Sequence, residues 1–155
     1  MKLRVTLFLV FIIVSGCSLK TNDERQIQTA ITEFMAAVTN RDENGAKVIL
    51  LDLAGFKTLN PDVSSRVDAE SFTDAVLSDL ISNYREMSVF FAGKTVKVTG
   101  VRTGGQWYQY KGFQAFQDNV VSLKVDGEDI QFTIRGLVRI GNDWKIVDLS
   151  NTGLF

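Results

Sequence analysis

Histidine is absent from this 155-residue sequence, and cysteine and proline occur once each. Without histidine, the chain lacks the commonest general base and the commonest ligand of transition metals. With a single cysteine, it can form no intramolecular disulfide, and it lacks the usual thiolate ligands of zinc and iron–sulfur centres. The single proline excludes a proline-rich linker. These absences predict a protein that holds no metal and no other cofactor.

The charges of the chain are nearly balanced. Lys and Arg together number 17 and Asp and Glu number 18, which gives a formal net charge of −1 at pH 7. Because no run of basic residues occurs, the sequence predicts no nucleic-acid partner. The length suits one domain with one hydrophobic core.

The N-terminal segment has the composition of a secretory signal peptide. Lys2 and Arg4 precede an apolar run over residues 5–14, which only Thr6 interrupts, and the small residues Ser15 and Gly16 follow. A basic start, a short apolar stretch and small residues before a cleavage site are typical of such signals. The run is too short to cross a bilayer comfortably as a helix.

The residues Val14-Ser15-Gly16-Cys17 resemble the lipobox of bacterial lipoproteins. The resemblance implies cleavage before Cys17, diacylglycerol on its sulfur and an acylated amino group. It divides the chain into a signal peptide (1–16), a lipidated tether (17–23) and a domain (24–155). Several acyl chains give a firm membrane anchor. With Ser18 after the cysteine, a Gram-negative host would place the protein at the outer membrane facing the periplasm. The alternative is an ordinary cysteine behind a plain signal cleavage site.

Three helices are predicted in the first part of the domain. Apolar residues at spacings of three and four, from Ile27 to Val38, predict a helix over about 24–40, with Asn22 or Asp23 as its N-cap. A second helix is expected over about 46–53, ended by Gly55, and a loop over 56–68. A third helix is expected to start near residue 68 and to continue through Tyr84.

Antiparallel strands are predicted in the second part of the domain. Alternation predicts strands over 94–102, 119–125, 130–140 and 144–149, with a bulge at Gly100 and a hairpin turn at Asp126-Gly127. The aromatic-rich segment 107–116 is also interpreted as a strand. Helices grouped before antiparallel strands predict an α+β fold with the helices on one face of the sheet.

This layout resembles the NTF2-like, cystatin-type cone. The resemblance is carried by the opening helix Gln26–Asn40 with Arg41-Asp42 after it, and by the closing segment Gly141-Asn142-Asp143-Trp144-Lys145-Ile146-Val147-Asp148-Leu149. It implies three N-terminal helices on a strongly curved antiparallel sheet, a pocket between them, and homodimerisation through the outer face of the sheet. The superfamily includes isomerases, dehydratases, ligand-binding proteins and interaction modules, so this fold alone does not define a function.

Two sets of candidate site residues follow. A carboxyl beside a tyrosine can transfer protons, which makes Tyr108, Tyr110 and Asp118 the candidate catalytic residues. Aromatic walls with a few polar groups bind apolar ligands, and paired arginines bind anions or acidic surfaces. The candidate ligand or partner surface therefore consists of Trp107, Phe113, Phe116, Arg135 and Arg139. Core packing of the rings and a solvated sheet face for the arginines are the alternatives.

Together these features predict a membrane-anchored envelope lipoprotein whose domain is a non-catalytic binding or interaction module. The expected partner is a small apolar ligand or an envelope protein. The alternative is a proton-transfer enzyme of the isomerase or dehydratase type that uses Asp and Tyr in the cone pocket.

Overall fold

A computed structural model describes residues 21–110 and 112–154, so the predicted signal peptide and Cys17 lie outside the described residues. The helices are α1 (Asn22–Asn40), α2 (Glu43–Ile49), α3 (Leu53–Leu59), α4 (Ala69–Phe72) and α5 (Ser78–Phe90). The strands are β1 (Val96–Arg102), β2 (Ala115–Val125), β3 (Glu128–Ile140) and β4 (Asp143–Asp148). Among the described helices, none combines the length and the apolar character needed to span a bilayer.

Helix α1 confirms the predicted apolar stripe. It buries Ile27, Ile31, Phe34, Met35 and Val38. Its N-cap is Thr21 rather than the predicted Asn22 or Asp23: the Thr21 hydroxyl accepts from the Glu24 amide, and the Glu24 carboxylate accepts from the Thr21 amide. This capping box satisfies two backbone N–H groups at the start of the helix.

The second predicted helix is wrong in its bounds. Asp42 caps α2 by accepting from the Gly45 amide at 2.9 Å, so this helix starts at Glu43 and ends at Ile49. Asp52 then caps α3 in the same way, through the Gly55 amide at 2.7 Å. Gly55 therefore lies inside a helix instead of ending one, and part of the predicted loop over 56–68 is helical. Two aspartate caps, each starting a new helix, explain the difference.

The third predicted helix starts where expected, with Asp68 as its N-cap. It is not a regular α-helix throughout, because a π-helical turn over Thr73–Leu77 joins α4 to α5. Tyr84 on α5 is buried against α1, where its ring meets Phe34 edge to face at 6.4 Å and its hydroxyl donates to the Ala37 carbonyl at 3.4 Å.

The four described strands form one antiparallel sheet in the order β1-β2-β3-β4, which confirms the α+β class. The predicted bulge at Gly100 and the turn at Asp126-Gly127 are also confirmed. Both turn residues have positive φ, 50° and 94°, as a tight hairpin turn requires. Helix α1 contacts both β1 and β4, the two edge strands, and the sheet does not close into a barrel.

The aromatic segment 107–116 is not the predicted strand. Only an isolated bridge pairs Gln106 with Phe116, and β2 starts at Ala115. Residues 103–110 and 112–114, named here the β1–β2 loop, turn back on themselves. The Trp107 amide donates to the Ala115 carbonyl at 2.9 Å, and the Tyr110 amide donates to the Trp107 carbonyl at 3.4 Å. Most of the aromatic residues of this segment therefore belong to a loop. Alternation of apolar and polar residues identifies strands, but it does not identify a packed loop.

A packed hydrophobic core lies between the helices and the sheet. Its largest fully buried side chains come from both layers and include Phe34, Met87, Phe91, Leu123, Ile134, Leu137 and Ile146. On β3 three successive residues, from Gly136 to Val138, are all buried. Because successive residues of a strand point to opposite faces, both faces of the sheet are covered at this point.

Candidate functional site

The predicted aromatic residues of the β1–β2 loop have different environments. Trp107 is half-buried and lies against Gly136 of β3. Tyr110 packs edge to face on Trp107, with ring centroids 5.1 Å apart. Tyr108 between them is 76% exposed. Trp107 and Tyr110 thus cover the sheet, and Tyr108 contributes an exposed ring at the loop surface.

The carboxylate whose charge acts on Tyr110 is that of Asp148 of β4. Burial, and then the charge of Asp148, raise the pKa of Tyr110. The carboxylate of Asp148 accepts from the amide and the hydroxyl of Ser150, at 2.8 and 2.6 Å. The candidate Asp118 is exposed and has a left-handed backbone, with φ of 56°. The sequence reasoning missed Asp148, which it had treated only as part of the last strand.

The two candidate arginines bind different carboxylates. Arg135 lies 3.9 Å from Asp148, and Arg139 lies 3.1 Å from Asp23 at the start of α1. Asp23 also accepts from the Gln114 side chain at 2.8 Å. The arginines therefore connect parts of the fold: Arg135 links β3 to β4, and Arg139 links β3 to α1.

The two candidate phenylalanines pack against the core. Phe116 stacks on Trp144, with ring centroids 5.7 Å apart and an interplanar angle of 21°. Phe113 is half-buried at the end of the β1–β2 loop. The predicted surface set is therefore divided between loop packing, core packing and ion pairs.

A surface groove lies where α1, α2 and the β3–β4 turn meet, and it is named here the α1–β4 groove. Its volume is about 400 Å³. Its lining includes the charged residues Arg25, Glu33 and Lys145, the amide of Gln26, and the apolar surfaces of Val48 and Trp144. Volumes of this order are typical of small-ligand sites.

Two residues that line this groove each carry a buried polar atom that lacks a hydrogen-bond partner within the described residues. These atoms are the side-chain oxygen Oε1 of Gln26 and the indole nitrogen Nε1 of Trp144. Trp144 as a whole is only 4% exposed. Leaving a buried polar group unsatisfied costs about 1–3 kcal/mol, so such groups are uncommon in native proteins. From the sequence, Trp144 is predicted only as part of the closing strand 144–149, and not as a site residue.

The charged groups that line the α1–β4 groove are balanced. Arg25 and Lys145 are cationic, and Glu33 and Asp143 are anionic. The ammonium of Lys145 donates to the Val48 carbonyl at 2.6 Å and lies 3.5 Å from the carboxylate of Asp52. These contacts hold Lys145 in the groove wall, and the four charged residues that line the groove sum to zero.

Comparison with known proteins identifies no family and no relative of this chain. A scan against protein-family models matches none, and searches of curated proteins and of solved structures find no significantly similar protein. Within the described residues, no group of three or more His, Cys, Asp or Glu side chains is placed to hold a metal ion. The function is therefore inferred from the residues of the chain itself.

Proposed function

We propose that this protein is a bacterial envelope lipoprotein, anchored through lipid on Cys17, whose domain is a non-catalytic module that binds another protein. The proposal has two halves, a lipid anchor (the anchoring half) and a domain that binds another protein (the binding half). The anchoring half rests on the residues Val14-Ser15-Gly16-Cys17. In a Gram-negative host, Ser18 favours the outer membrane, facing the periplasm. The binding half rests on the packing of the domain.

The observation that carries the binding half is the packed core between the helices and the sheet. An NTF2-like cone would hold a small apolar ligand in a cavity between its sheet and its helices, lined mostly by apolar side chains. Here that position holds large buried residues of one hydrophobic cluster, including Phe34 and Phe91 from the helical layer and Leu123 from the sheet. This packing favours a surface interaction over an enclosed apolar ligand.

We further propose the NTF2-like cone as the specific fold. The contacts of α1 with both edge strands support it, because the resemblance implies helices packed on a strongly curved sheet, and such a sheet can bring both of its edges to one helix. Homodimerisation through the outer face of the sheet remains part of that proposal.

A proton-transfer enzyme is the second candidate function, and the observation in its favour is that burial and the charge of Asp148 raise the pKa of Tyr110. A neutral tyrosine near a carboxylate can serve as a hydrogen-bond donor to a reacting oxygen. Against this role, the Asp148 carboxylate already accepts two hydrogen bonds from Ser150 and lies near Arg135. This arrangement favours a structural role for Asp148 at the end of β4.

Native mass spectrometry of the protein purified from cells in mild detergent tests the proposal. The expected spectrum shows a chain that starts at Cys17, carries the mass of its acyl groups and retains a bound polypeptide. The Cys17→Ser variant is the matched control and should lack the acyl mass. An unmodified cysteine in the wild-type protein would refute the anchoring half. A bound small molecule that is lost in Asp148→Asn and Tyr110→Phe would favour the enzyme.

A further inference from the structure

We propose that the α1–β4 groove binds the main chain of a partner polypeptide, with Gln26 accepting from a peptide N–H and Trp144 donating to a peptide carbonyl. The inference deepens the proposed binding role of the domain and rests on it. It names the site and the chemical class of the ligand.

The first argument is the complementarity of the two unpartnered atoms. Oε1 of Gln26 can only accept a hydrogen bond, and Nε1 of Trp144 can only donate one. A peptide main chain carries one donor and one acceptor on each residue. A bound peptide would therefore satisfy both of these atoms at once, whereas a carboxylate or an ammonium ion would satisfy only one of them.

The second argument is the charge of the groove. Arg25 and Lys145 are offset by Glu33 and Asp143, and Lys145 is already bound to Val48 and Asp52. A strongly charged ligand would lose its hydration without a net opposite charge in return. A peptide main chain is neutral, so its binding does not remove water from an uncompensated charge.

The third argument is the apolar surface beside the groove. Val48 of α2 lines the groove and is 69% exposed. An extended peptide presents side chains alternately to the two sides of its backbone. One apolar side chain of the peptide can then cover Val48 while the main chain engages Gln26 and Trp144.

Binding requires a local rearrangement, because both orphan atoms are shielded from solvent. The movable element is the side chain of Gln26, which is half-buried on α1 and has three rotatable bonds. Trp144 stays fixed because its ring is buried and stacked on Phe116. We therefore infer that Gln26 rotates to admit the peptide and that Trp144 is the rigid anchor.

The indole N–H of Trp144 gives a direct NMR readout. The chain has two tryptophans, so the Trp107→Phe variant of the ¹⁵N-labelled protein, purified from cells in detergent, retains one indole signal. The probe is the capped tripeptide acetyl-Ala-Ala-Ala-amide. Its titration should move the indole proton downfield in a saturable manner. The ester analogue, which has lactate in place of alanine and so lacks the main-chain N–H groups, should bind about threefold to tenfold more weakly.

Matched variants separate the groove from the rest of the domain. Gln26→Met removes the acceptor and should weaken tripeptide binding about threefold to tenfold, whereas Gln26→Glu retains an acceptor and should retain binding. Thr32→Ala, on the exposed side of α1 and outside the lining of this groove, should bind as the parent does. The backbone amide spectrum reports whether each variant is folded.

Three results would overturn the inference. They are an indole signal that the tripeptide does not move, equal binding by Gln26→Met and the parent, and a persistent magnetisation transfer from the indole proton to a bound water that the peptide does not displace. The last result would show that a structural water satisfies both atoms. None of these results would affect the acylation of Cys17, which mass spectrometry measures separately.

Discussion

The indole ring of Trp107 occupies the space into which a side chain on Gly136 would project. A Cβ built on Gly136 would overlap Trp107 Cζ3 and would lie 2.8 Å from Cγ2 of Val147. A glycine on β3 therefore allows the β1–β2 loop to close onto the sheet. This contact, and not a regular strand over residues 107–116, explains why Trp107 and Tyr110 are half-buried while Tyr108 between them is exposed.

Gly136→Ala should destabilise the domain by about 2–3 kcal/mol, because the added methyl group overpacks a buried site. The measurement is chemical denaturation followed by circular dichroism. Gly100→Ala is the matched control, since a Cβ at Gly100 meets no atom within 4 Å, and its effect should stay within about 0.5 kcal/mol.

Removing the Trp107 indole should reduce the destabilisation that Gly136→Ala causes, because the added methyl group would no longer overlap that ring. In a Trp107→Ala background, Gly136→Ala should cost at least about 1 kcal/mol less than in the wild-type protein, which a double-mutant cycle measures. An equal cost in both backgrounds would show that Trp107 does not lie on Gly136.

Asn119 ties the β1–β2 loop to two strands. Its side-chain amide donates to the carbonyls of Phe116 and Ile134, at 3.1 and 3.0 Å, and its oxygen accepts from the Gly104 amide at 3.3 Å. Because Asn119 has no solvent exposure, Asn119→Ala should leave buried carbonyls unsatisfied and cost about 2–4 kcal/mol. Asn40→Ala, at the exposed end of α1, should change stability by less than about 0.5 kcal/mol. Equal unfolding midpoints for the two variants would contradict this account.

Tyr110 should make stability depend on alkaline pH. Its pKa in the folded state is raised above the ordinary value of 10.0 by burial and by Asp148. The unfolded chain therefore ionises first, so the contribution of Tyr110 is fully present below about pH 10 and is lost as the pH rises further. Denaturation at pH 8 to 11 should show a smaller alkaline loss for Tyr110→Phe than for the wild-type protein. The exposed-ring variant Tyr108→Phe is the control, and identical alkaline slopes for Tyr110→Phe and wild type would refute the assignment.

Much of the fold could be predicted from local patterns. The stripe on α1 was visible because its apolar residues recur at helical spacing, and the turn at Asp126-Gly127 was visible because few residue pairs adopt positive φ at both positions. The α+β class then followed from the order of the elements. The bounds of α2 and α3 were missed because each depends on one aspartate cap, at Asp42 and Asp52.

The site depended on tertiary contacts that no local pattern encodes. Asp118-Asn119 resembles a turn in sequence, yet Asn119 is buried within β2 and makes three hydrogen bonds to distant or neighbouring backbone groups. Likewise, Gln26 and Trp144 are 118 positions apart in the numbering but line one groove. Both carry a buried polar atom that finds no partner within the part of the chain that the structure describes, which follows from packing and not from residue type.

The central claim, that lipid on Cys17 anchors a binding domain to the envelope, is tested most directly by metabolic labelling of cells with a palmitate analogue. The account predicts that the wild-type protein takes up the label and sediments with membranes, and that Cys17→Ser does neither. A wild-type protein that stays unlabelled and fractionates as the Cys17→Ser variant does would contradict it.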